Sequence, residues 1–376
     1  MCANFRIVKR TARGGVLALL ALLLLSGCET LGFYRQAVWG QLALLGARTP
    51  VSKVLVAAET PEPVKQRLRK VEQILQFAEQ ALHLPIDGRY DSYVALPRDY
   101  VVWNVYAAEP LSMAGDRWCY PVVGCAPYRG YFSEDAARRV AERYAQRGFE
   151  VYVGGVSAYS TLGWFDDPVL STFVTWPDSE LANLLFHELA HGRVWVASDT
   201  TFNESFASFV AEQGLRQWHE SKGEQTAWQA WQERVDEWQS FQRFLLQAKS
   251  RLSEVYASSM PRQQKLTAKA AVVASFRDCY ARHRGRLGAG RFDKAMAEYF
   301  NNAFLLSVGT YADWLPGFAV LFAQAGENWE VFYERVEQLA AGSLQERKAY
   351  LTEVLDSAQQ HPAHQADHGH TKQINC

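Results

Sequence analysis

Apolar positions recur at helical and strand spacings along much of the chain. Val64, Leu68, Val71, Leu75, Ala78 and Leu82 fall three and four residues apart, which predicts a helix from about Pro63 to Leu82 with one apolar face. Tyr100 to Tyr106 is rich in β-branched and aromatic residues and reads as a strand. Ser133-Glu134-Asp135 opens a helix that Gly148 stops, and Phe149 to Val153 reads as a second strand. The segment from Ser157 to Pro168 is rich in turn residues, and Val169 to Thr175 is a further β-branched run. Within that run, Leu170 to Val174 is either a core strand or an edge strand able to pair with an extended peptide. From Trp176 onward nearly every signal is helical, including a Trp-rich amphipathic stretch between Gln225 and Ser258. The fold class is therefore α+β, with a small β-containing part to about residue 176 followed by a predominantly helical part. Residues 359–376 contain His361, His364, His368 and His370 amid polar residues without periodicity, and read as a disordered tail.

Composition narrows the classes. With 48% apolar and 21% charged residues, the 376-residue chain can bury a large core, and disorder, collagen and coiled coil are excluded. A formal charge of −1, with Lys and Arg spread along the chain, offers no surface for phosphates, so no nucleic-acid partner is expected. Residues 1–27 differ from the rest: Arg6, Lys9, Arg10 and Arg13 occur without an acid, then an apolar run from Val16 to Leu25 ends at Leu25-Ser26-Gly27-Cys28. This is the layout of a secretory signal peptide, with a run too short to span a bilayer. No other stretch is long enough to span. Without those four cations the net charge becomes about −5.

Leu-Ser-Gly-Cys resembles the bacterial lipobox, which implies that Cys28 receives lipid and becomes the first mature residue. An ordinary signal cleaved near Cys28 is the alternative. Glu29 in place of Asp implies, by resemblance to lipoprotein sorting, the outer membrane of a Gram-negative cell, facing the periplasm. More than one acyl chain, at about 0.8 kcal/mol per buried CH₂, makes such an anchor slow to release. In an exported chain Cys119 and Cys125 read as a small disulfide loop, with two free buried thiols as the alternative.

Candidate chemistry concentrates in His187-Glu188-Leu189-Ala190-His191. On a helix, His187 and His191 lie one turn apart on one face, so both imidazoles reach a single cation while Glu188 addresses a water at that cation. Pro177-Asp178-Ser179-Glu180 supplies a first helical turn, and Leu181, Leu184, Leu185 and Leu189 supply a core face. The bland alternative is a buried helix with two ordinary histidines. Catalytic zinc takes three protein ligands and keeps a fourth position for solvent. Twelve residues separate His191 from Glu204, in Asn203-Glu204-Ser205-Phe206-Ala207-Ser208-Phe209, and Glu204 fits the third position. The same glutamate matches a capping box with Thr201, and Asp199 is the substitute ligand.

These residues resemble the gluzincin arrangement of aminopeptidase-N-like and thermolysin-like enzymes, with a shorter gap to the glutamate and no Gly-x-Met-x-Asn motif before the helix. Over almost the whole mature chain, including Ala158-Tyr-Ser-Thr-Leu-Gly, Asp166-Asp-Pro and Asn301-Asn-Ala, the sequence more closely resembles the putative aminopeptidase family of bacterial lipoproteins. That resemblance implies a zincin-like zinc peptidase domain over 28–358, with Zn2+ on His187, His191 and Glu204. It also implies that Glu188 is the general base and that the substrate is a peptide or protein. An oxyanion donor would come from the later helical part, with Tyr311 the candidate and Tyr299 and Tyr280 its rivals. An aminopeptidase also needs a carboxylate for the substrate α-amine; Asp166, Asp167 and Glu212 are available and nothing selects among them. The alternative function is a non-catalytic envelope lipoprotein that uses a zincin frame for binding or scaffolding.

Overall fold

Leu68, Val71, Ile74, Leu75 and Ala78 form the buried stripe of a helix over Glu62–Gln80, close to the span its periodicity predicts. The computed structural model describes residues 32–120, 124–158, 166–308, 314–360, 374 and 376. Cys28 and the segment before it lie outside these residues. A helix over 32–46 (α1) leads to strand Thr49–Pro50 (β1) and helices Val51–Val56 (α2) and Glu62–Gln80 (α3). Strands Ser92–Val94 (β2), Val102–Ala108 (β3), Trp118–Tyr120 (β4), Gly124–Ala126 (β5) and Arg129–Tyr131 (β6) precede helix Glu134–Gln146 (α4). Strands Glu150–Val156 (β7) and Val169–Leu170 (β8) follow, then helices Ser171–Val174 (α5), Asp178–Arg193 (α6), Thr200–Lys222 (α7), Gln225–Ala257 (α8) and Arg262–His283 (α9). After a π-helical turn at Ala295–Tyr299 come Asn302–Ser307 (α10), Leu315–Gln324 (α11), Trp329–Ala340 (α12) and Leu344–Gln360 (α13). The fold is mixed α+β and mostly helical.

The strands make three small sheets, in the orders β1-β2-β8, β6-β3-β7 and β4-β5. In the second, β3 pairs antiparallel with both neighbours, and Trp103, Val105 and Tyr131 pack on Ala137, Val140 and Ala141 of α4. Ser133 starts α4 by accepting from Ala136 N, as its position before two acids predicts. The largest core lies between α3, α6, α7 and α11–α13, where Phe206 meets Phe318, Phe332 and Tyr333. Each such aromatic contributes roughly 1.5–3 kcal/mol by leaving water. A second core joins the later part of α8 to α9 and α10 through Phe241, Phe244, Phe276 and Phe304.

The α6–α7 pair is tied at both ends. Near the turn, the Asn203 amide is buried and bonds both sides of Val196, accepting from its N and donating to its O at 2.8 Å each. At the far end, Ser179 meets His219 at 3.0 Å and His219 meets Glu224 at 3.0 Å, so the start of α6 is fastened to the end of α7. Gly214 lets α7 approach both the end of α3 and α6, because a Cβ there would lie 2.6 Å from Leu82 and 3.3 Å from Phe186 of α6. Asp199 caps α7, accepting from Phe202 N, and its other oxygen receives Arg347 Nε at 2.9 Å in a buried ion pair. Arg67 of α3 fixes the entry to α6 by donating to Val174 O, Trp176 O and Asp178.

Three expectations change. The run Val169 to Thr175 is a strand only over Val169–Leu170, which pairs parallel with β2; α5 begins at Ser171. The Ser171 hydroxyl accepts from Leu96 N at 2.8 Å, ending the ladder, and Phe173 and Val174 turn into the core. β8 is an outer strand of its sheet, but only Val169 and Leu170 are extended, so Ser171 to Val174 offers no strand edge to a peptide. The Cys119–Cys125 disulfide is present, joining directly paired residues of the β4-β5 hairpin. A second disulfide, Cys279–Cys376, links the chain's last residue to α9, and Ile374 enters the second core. The segment read as a disordered tail is thus tied to α9 at Cys376, while its four histidines lie outside the described residues. No helix among the described residues is long and apolar enough to cross a membrane.

Two stability measurements follow. Serine at Cys279 and Cys376 releases a loop with a sequence separation of 97 and is expected to cost about 2–4 kcal/mol, read as a lower Tm under non-reducing conditions. Arg347→Ala leaves the Asp199 carboxylate buried without its partner and is expected to cost about 3–5 kcal/mol in urea unfolding, most of it recovered by Asp199→Asn in the same chain.

Candidate metal centre

Helix α6 buries Leu181, Ala182, Leu185, Phe186, Leu189 and Ala190, and that apolar stripe fixes its rotation. Asp178 and Glu180 in its first turn suit the positive end of the helix dipole. The rotation brings His187 and His191 to the side facing α7. Their rings are perpendicular, with centroids 4.8 Å apart, and their Nε2 atoms are 3.2 Å apart.

Glu204 completes the group from the second turn of α7. One carboxylate oxygen lies 3.3 Å from His187 Nε2 and the other 3.7 Å from His191 Nε2. One ligand atom from each of the three residues lies within 4.8 Å of the others, so the group could hold a metal ion. The capping-box alternative does not occur. Asp199 is the N-cap, which places Glu204 beyond the reach of that cap. Asp199 is itself consumed by the cap and by Arg347, which removes it as the substitute ligand.

The protonation states suit a cation. Burial, then the neighbouring His187, lowers the His191 imidazole to about 4 against the pull of Glu204, so the ring is neutral at pH 7 with a lone pair to offer. Burial pushes the Glu204 carboxyl up, but the His187 hydrogen bond and the proximity of the two imidazoles override it and hold the group below the ordinary glutamate value. Two imidazole nitrogens and a carboxylate oxygen are a donor set for a borderline divalent metal. His191 Nδ1 is buried with no hydrogen-bond partner among the described residues.

Glu188 is half-buried on the adjoining stripe of α6. Tyr90 is buried close to it; burial first, then the Glu188 and Asp167 charges, push the Tyr90 phenol well above its ordinary value. Tyr128, in the turn between β5 and β6, is raised by burial and then by Glu204, which places its phenol within reach of the triad's charge. Trp195 is 44% exposed with its ring 5.4 Å from His191, forming a rim. Arg89 rests on Gly192: a Cβ built at that glycine would lie 1.9 Å from the guanidinium.

Of the other sequence candidates, Tyr311 lies outside the described residues. The Tyr280 hydroxyl is committed to Asp293 at 2.8 Å in the second core, and Tyr299 packs against Tyr152. Asp166 and Asp167 border the loop that carries Arg89 and Tyr90, with Asp167 O accepting from Tyr90 N. Glu212 lies two turns beyond Glu204 on α7. Sequence reasoning missed Arg89, Tyr90 and Tyr128. Asp87-Gly88 signals a turn at the first two, but nothing local says what that turn presents; Tyr128 is one tyrosine among 17.

No curated protein and no solved structure matches the chain. A family model described as Putative aminopeptidase matches residues 32–351, a span that contains α6, α7 and every residue of the triad, and the chain belongs to that family.

Proposed function

We propose that the chain is a zinc-dependent peptide-bond hydrolase, exported and held at the bacterial envelope by lipid on Cys28. The observation that carries the chemistry is the convergence of His187, His191 and Glu204 within 4.8 Å, with Glu188 next to the first ligand. The family points the same way. The envelope location rests on the sequence of residues 1–29.

Zinc on this group supplies Lewis acidity, lowering the pKa of a water and polarising a carbonyl. The chain's own residues do the rest. The Glu188 carboxylate takes the proton of the attacking water and returns it to the leaving amine, a role that needs it beside the ligand face rather than on it. Tyr128, whose phenol feels the Glu204 charge, is a candidate donor to the developing oxyanion beside Tyr311.

Glu188→Gln is expected to retain one zinc per chain by elemental analysis while lowering hydrolysis of a peptide mixture, mapped by mass spectrometry, by at least about a hundredfold. Glu204→Gln or His191→Gln should lose the metal. Zinc retention with no cleavage by the unaltered protein would instead identify a binding or scaffolding module.

The metal-free protein has a defined pH response. With the folded His191 at about 4 against an ordinary 6.5, the unfolded chain binds the extra proton between those values. Stability from this group is fully present above pH 6.5 and falls as the pH drops toward 4, by roughly 3 kcal/mol over the window. Urea midpoints measured across that range should fall more steeply for the unaltered protein than for His191→Gln.

A further inference from the structure

The loop between α3 and β2 is held in an unusual backbone. Asp87, Gly88 and Tyr90 have φ of 36°, 79° and 64°, a region that L side chains enter at a cost. Hydrogen bonds fix it from both flanks: Arg89 N to Ile86 O at 2.7 Å, Tyr90 N to Asp167 O at 2.8 Å, and Val51 N to Asp91 O at 2.8 Å. A rigid, locally strained segment therefore delivers Arg89 to α6. Its guanidinium lies against Gly192, where a Cβ would stand 1.9 Å from one terminal nitrogen and 2.4 Å from the other. Any larger residue at 192 would displace it.

Gly192 follows His191 directly and lies four residues after Glu188, on the same stripe of the helix and about 6 Å along it. The guanidinium thus lies over the residue that follows His191, about one helical turn from Glu188 along the same stripe. It has no hydrogen-bond or ion-pair partner among the described residues. Other partly buried arginines differ: Arg67 serves Asp178 and two carbonyls, and Arg347 serves Asp199 and two carbonyls. A half-buried guanidinium with unused donors, fixed next to a reaction centre, is a receptor for an anion, and its planar fork matches a carboxylate.

We propose that Arg89 binds a carboxylate of the peptide substrate and so makes this site selective for peptides that carry one within about two residues of the bond to be cut, given about 3.5 Å of reach per residue. The assignment rests on the peptidase reading. The carboxylate has two sources, the free C-terminus of a short peptide or an Asp or Glu side chain, and both present the same two oxygens to the fork.

Calorimetric titration of the zinc-loaded, full mature chain carrying Glu188→Gln separates them. The probes are Ala-Ala-Ala as free acid and as amide, and Ala-Glu-Ala and Ala-Gln-Ala, both as amides. At least one carboxylate peptide is expected to bind tenfold or more tightly than its neutral counterpart. A difference in the first pair identifies the C-terminus, and one in the second pair identifies the side chain. Arg89→Ala should erase the ratio and Arg89→Lys restore part of it; Gly192→Ala, which keeps the guanidinium but moves it, should shrink it. Equal affinities within both pairs, absence of binding by all four peptides, or a preference that survives Arg89→Ala would overturn the proposal. Because the pairs are compared in a protein that retains Arg89, the answer does not require the Arg89 variants to fold. Cleavage of the same peptides by the protein with Glu188 intact is scored separately. Carboxylate-selective binding without cleavage sinks the peptidase reading and leaves Arg89 as an anion receptor, whereas cleavage without selectivity sinks only the role of Arg89.

Discussion

Two imidazole nitrogens and a carboxylate held within 4.8 Å of one another are a costly arrangement, and the placement of α6 against α7 exists around it. Desolvation opposes charge on every member. The chain resolves this by keeping the buried His191 neutral and by holding Glu204 below the ordinary glutamate value through its hydrogen bond to His187. The three donors then face one point, where a divalent cation would meet a neutral His191 and an ionised Glu204.

Convergence of this kind tolerates little slack, since a metal ligand misplaced by half an ångström is a poor one. The helix pair is correspondingly over-determined. Asn203 locks the turn at one end, the Ser179, His219 and Glu224 chain locks the other, and the Asp199 to Arg347 ion pair fixes where α7 begins. These are polar ties in a largely apolar interface. Apolar packing sets the distance between the helices, while the buried hydrogen bonds set their axial register, because a slip along the axis would strand an amide or a carboxylate without a partner. Glu204 lies one residue beyond Asn203, so its position follows from the amide that holds the turn.

The walls come from elsewhere in the chain. Tyr128 stands on the turn between β5 and β6, Arg89 and Tyr90 on a loop with left-handed backbone, and Trp195 on the connection between the helices. The helical part thus carries the donors and Trp195, and segments before residue 176 supply Arg89, Tyr90 and Tyr128. This division suits a site in which the metal geometry is fixed and specificity is set by loops on a rigid frame.

How much of this was legible in the sequence depended on the range of the interaction. Helix α3, the start of α4 and the i, i+4 relation of His187 and His191 could be read because a helix repeats every 3.6 residues and leaves a local trace of its buried face. The twelve-residue gap allowed Glu204 to reach the histidines but equally allowed a cap, and only the location of the helix start, set by Asp199 against Arg347 far along the chain, separated the two. The run after Pro168 has strand-forming composition, yet the Ser171 bonds to Leu96 end the ladder after two residues. Cys279 and Cys376, and likewise Arg89 and Gly192, meet across large sequence separations that impose no period on the intervening residues. The sequence by itself determined which residues form helices and which side chains share a helical face, since those follow from backbone geometry within a few residues. Tertiary structure alone decided which carboxylate serves as cap, which as prospective ligand, and which cation stands beside them, because burial and charge pairing are properties of the packed interior and not of any single segment.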